Sequence, residues 1–75
     1  MKRNYLNKSG KSGVCFFETG KDFIKVWFEK EKSPYLYNYR KPGKKHIEKM
    51  KLFAKKGLGL STYISQHVKE NYFSH

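Results

Sequence analysis

The alternation of apolar and polar positions divides the chain into a strand-forming first half and a helix-forming second half. From Val14 to Glu18 and from Phe23 to Glu29 the residues are largely β-branched and aromatic. They are joined by Thr19-Gly20-Lys21-Asp22, a short turn with glycine, so this stretch predicts a β-hairpin. In its second strand Ile24, Val26 and Phe28 point one way while Phe23, Lys25, Trp27 and Glu29 point the other. A turn through Lys30-Glu31-Lys32-Ser33-Pro34 leads to Tyr35-Leu36-Tyr37-Asn38-Tyr39, a third strand with its tyrosines on one face and Leu36 with Asn38 on the opposite one. Arg40-Lys41-Pro42-Gly43 then ends the sheet, because proline and glycine together stop a strand.

Beyond Gly43 the period lengthens. On a helix from Lys44 to Lys56, at about 100° per residue, Ile47, Met50, Phe53 and Ala54 share one arc that suits a core face. Leu52 is stranded among the lysines, and Gly57 is placed to end the helix in the left-handed conformation. Ser61 or Thr62 is a candidate cap for a second helix, in which Ile64, Val68 and Tyr72 recur every four residues with Leu60 in phase ahead. The tail Phe73-Ser74-His75 is expected to fray. The expected fold is α+β, a three-stranded antiparallel meander followed by two helices packed on one face. Residues 1–13, rich in Lys, Asn, Ser and Gly without a hydrophobic period, are expected to form a flexible basic arm ahead of a single domain spanning residues 14–73.

Composition adds a constraint on the core. A chain of 75 residues buries only about 60% of its unfolded surface. Its 13 aromatic residues outnumber Val, Ile and Leu together, so the core must lean on rings. If the helices meet Ile24, Val26, Phe28 and Leu36, the other sheet face holds Phe23, Trp27, Tyr35, Tyr37 and Tyr39 beside Lys25. Exposed rings interleaved with lysine make a stacking platform for unpaired bases. Equally, tyrosines are good strand formers that bury their rings against one another. No stretch approaches the roughly 20 apolar residues a bilayer requires, which argues against a membrane partner. A lone cysteine, Cys15, excludes a disulfide framework and fits a reducing, cytoplasmic setting. Inside the apolar run Val14 to Phe17 its thiol is expected to pack as a small hydrophobe.

Charge is more informative by segment than in total. The net +11 resides in two places: residues 1–13, with Lys2, Arg3, Lys8 and Lys11 and no acid, and residues 40–56. The latter carry Arg40, Lys41, Lys44, Lys45, Lys49, Lys51, Lys55 and Lys56 against Glu48 alone. An ordinary exposed helix mixes signs to form pairs three or four residues apart, so this excess points to a polyanion. The chemistry of catalysis is missing by comparison. His46, His67 and His75 share no metal-ligand spacing, the six acids form no convincing pair, and no nucleophile has a base beside it, so neither an enzyme nor a cofactor is expected. Gly10-Lys11-Ser12 is not a phosphate loop, because Tyr5 stands where that motif needs glycine.

The central Tyr35-Leu36-Tyr37, the Pro42-Gly43 break and a short helical half resemble the KTSC domain over about residues 13–72. Gly59 followed by Tyr63-Ile64, Val68-Lys69 and Tyr72 is similar to that family's closing pattern. Ser65 departs from it, as do a longer Gly57 to Gly59 stretch and the segment before Gly13. The family takes its name from the C-terminal segment of some lysyl-tRNA synthetases, and the resemblance implies an RNA-binding role without catalytic residues. The leading expectation is therefore a small non-catalytic nucleic-acid binder, with RNA or single strands favoured. Its phosphates would lie on the eight basic residues from Arg40 to Lys56, and bases would stack on Trp27, Tyr37 and Tyr39. The alternative is an interaction or inhibitor module, of the kind mobile elements carry, docking an acidic protein surface; under either reading a monomer or weak homodimer is expected.

Overall fold

A computed structural model describes residues 2–8, 10, 12–68 and 70–75 of the chain. Lys11 and Lys69 lie outside the described residues. The hairpin forms as the alternation predicts, with β2 (Val14–Thr19) antiparallel to β3 (Phe23–Phe28) and β3 antiparallel to β4 (Tyr35–Asn38). The Phe23 ring packs over Gly20 in the β2–β3 turn, so a Cβ there would make the ring shift. A fourth strand, β1 (Arg3–Asn4), pairs with β2, so the α+β sheet has four strands in the order β1-β2-β3-β4 and not the expected three.

That extra strand corrects the reading of the first residues as a flexible arm. Tyr5 is 6% exposed, and its hydroxyl accepts a hydrogen bond from the Leu60 amide at 3.2 Å. The Tyr5 amide donates to the Cys15 carbonyl at 3.0 Å, and the Lys8 amide to the Gly57 carbonyl at 2.7 Å. One buried ring with a satisfied polar tip anchors the segment, and a single anchor creates no periodicity to detect.

The second correction concerns β4. Residues opposite each other across an antiparallel pair share a face, and here Ile24 faces Tyr37, Val26 faces Tyr35 and Lys25 faces Leu36. Tyr35 and Tyr37 therefore join the aliphatic core face, and Leu36 turns outward. A one-residue difference in register exchanges the two faces of a strand. Cys15 is also displaced from its expected place. It is the extra residue of a β-bulge between Val14 and Phe16, and it is exposed.

Helix α1 (Lys44–Lys56) buries Ile47, Met50 and Ala54 against the sheet, with Phe53 half-buried beside them. It ends at Gly57, whose φ of 73° is left-handed. The Leu58 amide reaches the Phe53 carbonyl and the Gly57 amide the Ala54 carbonyl, which is the Schellman pattern. Helix α2 (Leu60–Tyr63) starts from Gly59 with no side-chain cap, so neither Ser61 nor Thr62 caps it. It continues as a π-helical turn over Ile64–Val68. An apolar stripe every four residues drifts by about 40° per step on an α-helix, and the wider turn takes up that drift while Leu60, Ile64 and Val68 stay buried. The tail does not fray: the Leu36 amide donates to the Ser74 carbonyl at 2.8 Å, and the Phe73 amide to the Leu36 carbonyl at 2.7 Å.

Candidate nucleic-acid interface

The basic zone emerges on the side of α1 turned away from the sheet. Arg40 and Lys41 sit on the turn before the helix, and both are exposed together with Lys44, Lys45, Lys49, Lys55 and Lys56. Lys51 is set apart. Half-buried, it donates to the Lys21 carbonyl at 2.9 Å and pairs with Glu48 at 3.2 Å. Glu48 also accepts a 2.7 Å hydrogen bond from the Tyr39 hydroxyl. That bond first, and Lys51 second, hold the Glu48 carboxyl below the usual carboxylate range, while the same bond pushes the Tyr39 hydroxyl up. Glu48 is thus engaged at the edge of the zone and leaves the seven other cations without an ion pair among the described residues.

The start of α1 reinforces this field. Gly43 offers no side chain to the first-turn amides, no acid lies in that turn, and Lys44 and Lys45 stand where the helix dipole disfavours cations. Such an arrangement costs stability, and it concentrates positive potential beside Arg40 and Lys41.

The residues expected to stack bases separate. Tyr37 is 1% exposed in the core and is not a stacking surface. Burial raises its hydroxyl pKa, with Tyr35 and Tyr72 adding to the shift. The Tyr39 ring packs against the core, its hydroxyl bound to Glu48 and the Lys44 and Lys51 ammonium groups each 5.8 Å from its centroid. Trp27 does face outward, half-buried, on the sheet face opposite α1. Phe16 lies beside it as its cross-strand partner, and the pair register puts Phe23, Lys25 and Leu36 on the same face. The Lys2 ammonium sits 4.3 Å from the Phe16 centroid and 4.9 Å from that of Trp27, within cation–π range. Phe23 lies on this face as the alternation predicts, and Phe16 is the platform residue that the sequence reading missed, its signal being the cross-strand partnership with Trp27. The arm cations divide: Lys2 covers this platform, the Arg3 guanidinium lies 5.4 Å from the Phe17 centroid, and Lys8 is exposed near the end of α1.

Of the histidines, His46 places Nδ1 2.7 Å from the Tyr63 hydroxyl, and His67 stacks obliquely on Tyr63 with centroids 4.5 Å apart. Burial raises the Tyr63 hydroxyl pKa. Among the described residues no three metal-ligating side chains converge, and no helix is long and apolar enough to cross a membrane. The chain matches no protein-family model, no curated protein and no solved structure.

Proposed function

We propose that this is a small, non-catalytic nucleic-acid-binding protein that holds RNA or single strands by their phosphates along α1 and the turn before it. The observation that carries this reading is the set of seven exposed, unpaired cations from Arg40 to Lys56. A face that concentrates like charge at the expense of stability suits a polyanionic partner. The resemblance to the KTSC domain favours RNA within that class. Trp27 and Phe16 supply stacking surface on the far side of the sheet, so one strand reaches both regions only by passing around a sheet edge.

An acidic protein surface is the second reading, and Leu52 is the observation that favours it. It is 51% exposed on the helix face that carries Lys45, Lys49 and Lys56, where an apolar side chain suits a protein contact better than a phosphate.

Titration with single-stranded RNA, duplex DNA and heparin at two salt concentrations, followed by anisotropy, separates the two. Nucleic-acid binding requires RNA to bind more tightly than heparin of matched charge, with a slope of log K against log salt of roughly −0.7 per phosphate engaged. Equal binding of all three, or of none, overturns it in favour of the protein partner.

A further inference from the structure

The other end of the sheet has the opposite polarity. A pocket of about 360 Å³ opens there, walled by the rings of Phe28, Tyr35, Tyr37 and Tyr72. Its rim carries Glu29, Glu31 and Glu70, half of the six acids in a chain of net charge +11, and no lysine or arginine lines it among the described residues. We propose that this pocket binds a small protonated alkylamine, its ammonium head seated among the rings of Tyr35, Tyr37 and Tyr72 and countered by Glu31 and Glu70.

The rings are arranged for such a ligand. Tyr35 meets Phe28 edge-on at 86° with centroids 5.3 Å apart, and Tyr72 meets Tyr35 at 79° and 4.8 Å and Tyr37 at 88° and 6.3 Å. Tyr35 and Tyr37 are nearly parallel, 17° and 6.5 Å apart, so Phe28 and Tyr72 stand across them and the rings wall a concavity on several sides; ring faces attract cations through their quadrupole. The volume falls in the range of small-molecule sites.

Two features suit a charged donor better than an apolar guest. The Tyr37 hydroxyl has no hydrogen-bond partner among the described residues, and since no side-chain polar atom sealed from solvent lacks one there, it opens onto the cavity, where it can accept from a ligand. Glu29 and Glu70 pair with no cation among the described residues, in a chain with 17 lysines and arginines. The wall feels Glu31 and Glu70: burial raises the Tyr35 hydroxyl pKa, and Glu31, Tyr72 and Glu70 raise it further. One nitrogen base of the chain is seated at this rim: His75 stacks on Tyr35 at 3.8 Å and 9°, with Nε2 3.3 Å from the Glu31 Oε1 that also accepts from the Tyr35 hydroxyl at 3.3 Å, so a ligand ammonium takes Glu31 in place of His75.

The test titrates the whole protein with 1,4-diaminobutane, with tetramethylammonium, and with uncharged 1,4-butanediol, reading the tyrosine ring resonances by NMR. The diamine should shift Tyr35, Tyr37 and Tyr72 saturably and bind at least tenfold more tightly than either other probe. Glu31→Gln with Glu70→Gln, both at exposed positions, should weaken it tenfold or more while the spectrum stays that of the folded protein. Tyr37→Phe, which keeps the ring, should weaken it by a smaller factor. Three results would each overturn the assignment: equal affinity for butanediol, equal affinity for tetramethylammonium, which has no N–H to donate, or unchanged diamine binding in the double variant.

Discussion

The Tyr39 hydroxyl donates a 2.7 Å hydrogen bond to Glu48 Oε2, and this contact ties the turn after β4 to the single acid of α1. Lys51 reaches the same oxygen at 3.2 Å. Because these partners hold the folded-state carboxyl below its unfolded value, the stabilisation they give is complete above the unfolded pKa and is lost as pH falls through the folded one. Tyr39→Phe removes the larger cause. The Glu48 titration, followed by carboxyl-carbon NMR, should move up towards an ordinary glutamate while the fold persists. An unmoved midpoint would show that Tyr39 does not set it.

Neutralising Glu48 has the opposite use. Glu48→Gln raises the formal charge from +11 to +12 and frees Lys51 from its acid. If α1 holds phosphates, RNA affinity should rise at low salt and the gain should shrink as salt increases. Identical affinity of variant and parent at every salt concentration would place the binding surface elsewhere.

Tyr37 separates core from surface. Truncating a buried ring costs about 3–5 kcal/mol. A chain of this length has only about 4–11 kcal/mol of stability at roughly 0.05–0.15 kcal/mol per residue. Tyr37→Ala should therefore lower the urea midpoint drastically or prevent folding, whereas Tyr37→Phe should stay near the parent because the lost hydroxyl has no partner among the described residues. A folded Tyr37→Ala protein with an unchanged midpoint would contradict the buried placement.

Much of the fold was legible because its signals are local. The alternation in Phe23 to Glu29, the arc of Ile47, Met50, Phe53 and Ala54, and glycine at position 57 each report their own backbone geometry. The faces of β4 were not legible. Both of its faces carry apolar residues, Leu36 on one and Tyr35 and Tyr37 on the other, so only pairing with β3 decides which turns inward. Tyr5 was hidden for a related reason, since its burial depends on Leu60, 55 residues away. The basic zone could be read as charge, but which lysine Glu48 engages, and whether Tyr37 lies in the core or on the open face, is decided by contacts between elements. The acidic aromatic pocket was invisible because its walls come from β3, β4 and the segment after the π-helical turn.

Gly57 tests how the first residues hold the helix end. A side chain at its φ of 73° costs roughly 1–2 kcal/mol, and a Cβ there would overlap the Leu6 side chain. Gly57→Ala should lower the urea midpoint by more than the backbone cost alone, with an unchanged m-value. A loss within the backbone cost would mean that Leu6 gives way freely and that the β1 segment is only loosely attached.

Trp27 and the lysines of α1 lie on opposite faces of the sheet, in a molecule 30 × 24 × 23 Å in extent, and this makes stacking depend on ligand length. A tetranucleotide can occupy the phosphate zone without reaching the rings, whereas a strand of about 16 nucleotides, the upper end of known single-strand site sizes, has chain enough to turn a sheet edge. A duplex of equal length is too stiff, since DNA bends smoothly only over about 150 base pairs. The 16-mer should therefore shift the emission of Trp27, while the tetramer and the duplex bind by anisotropy without doing so. Trp27→Ala should weaken the 16-mer by about 1–3 kcal/mol, the usual worth of one stacked base, and leave the tetramer unaffected. If the tetramer shifts Trp27 emission as strongly as the 16-mer, the phosphate zone is the Lys2 and Lys25 side of the sheet. If no ligand moves it, the outer rings take no part in nucleic-acid binding.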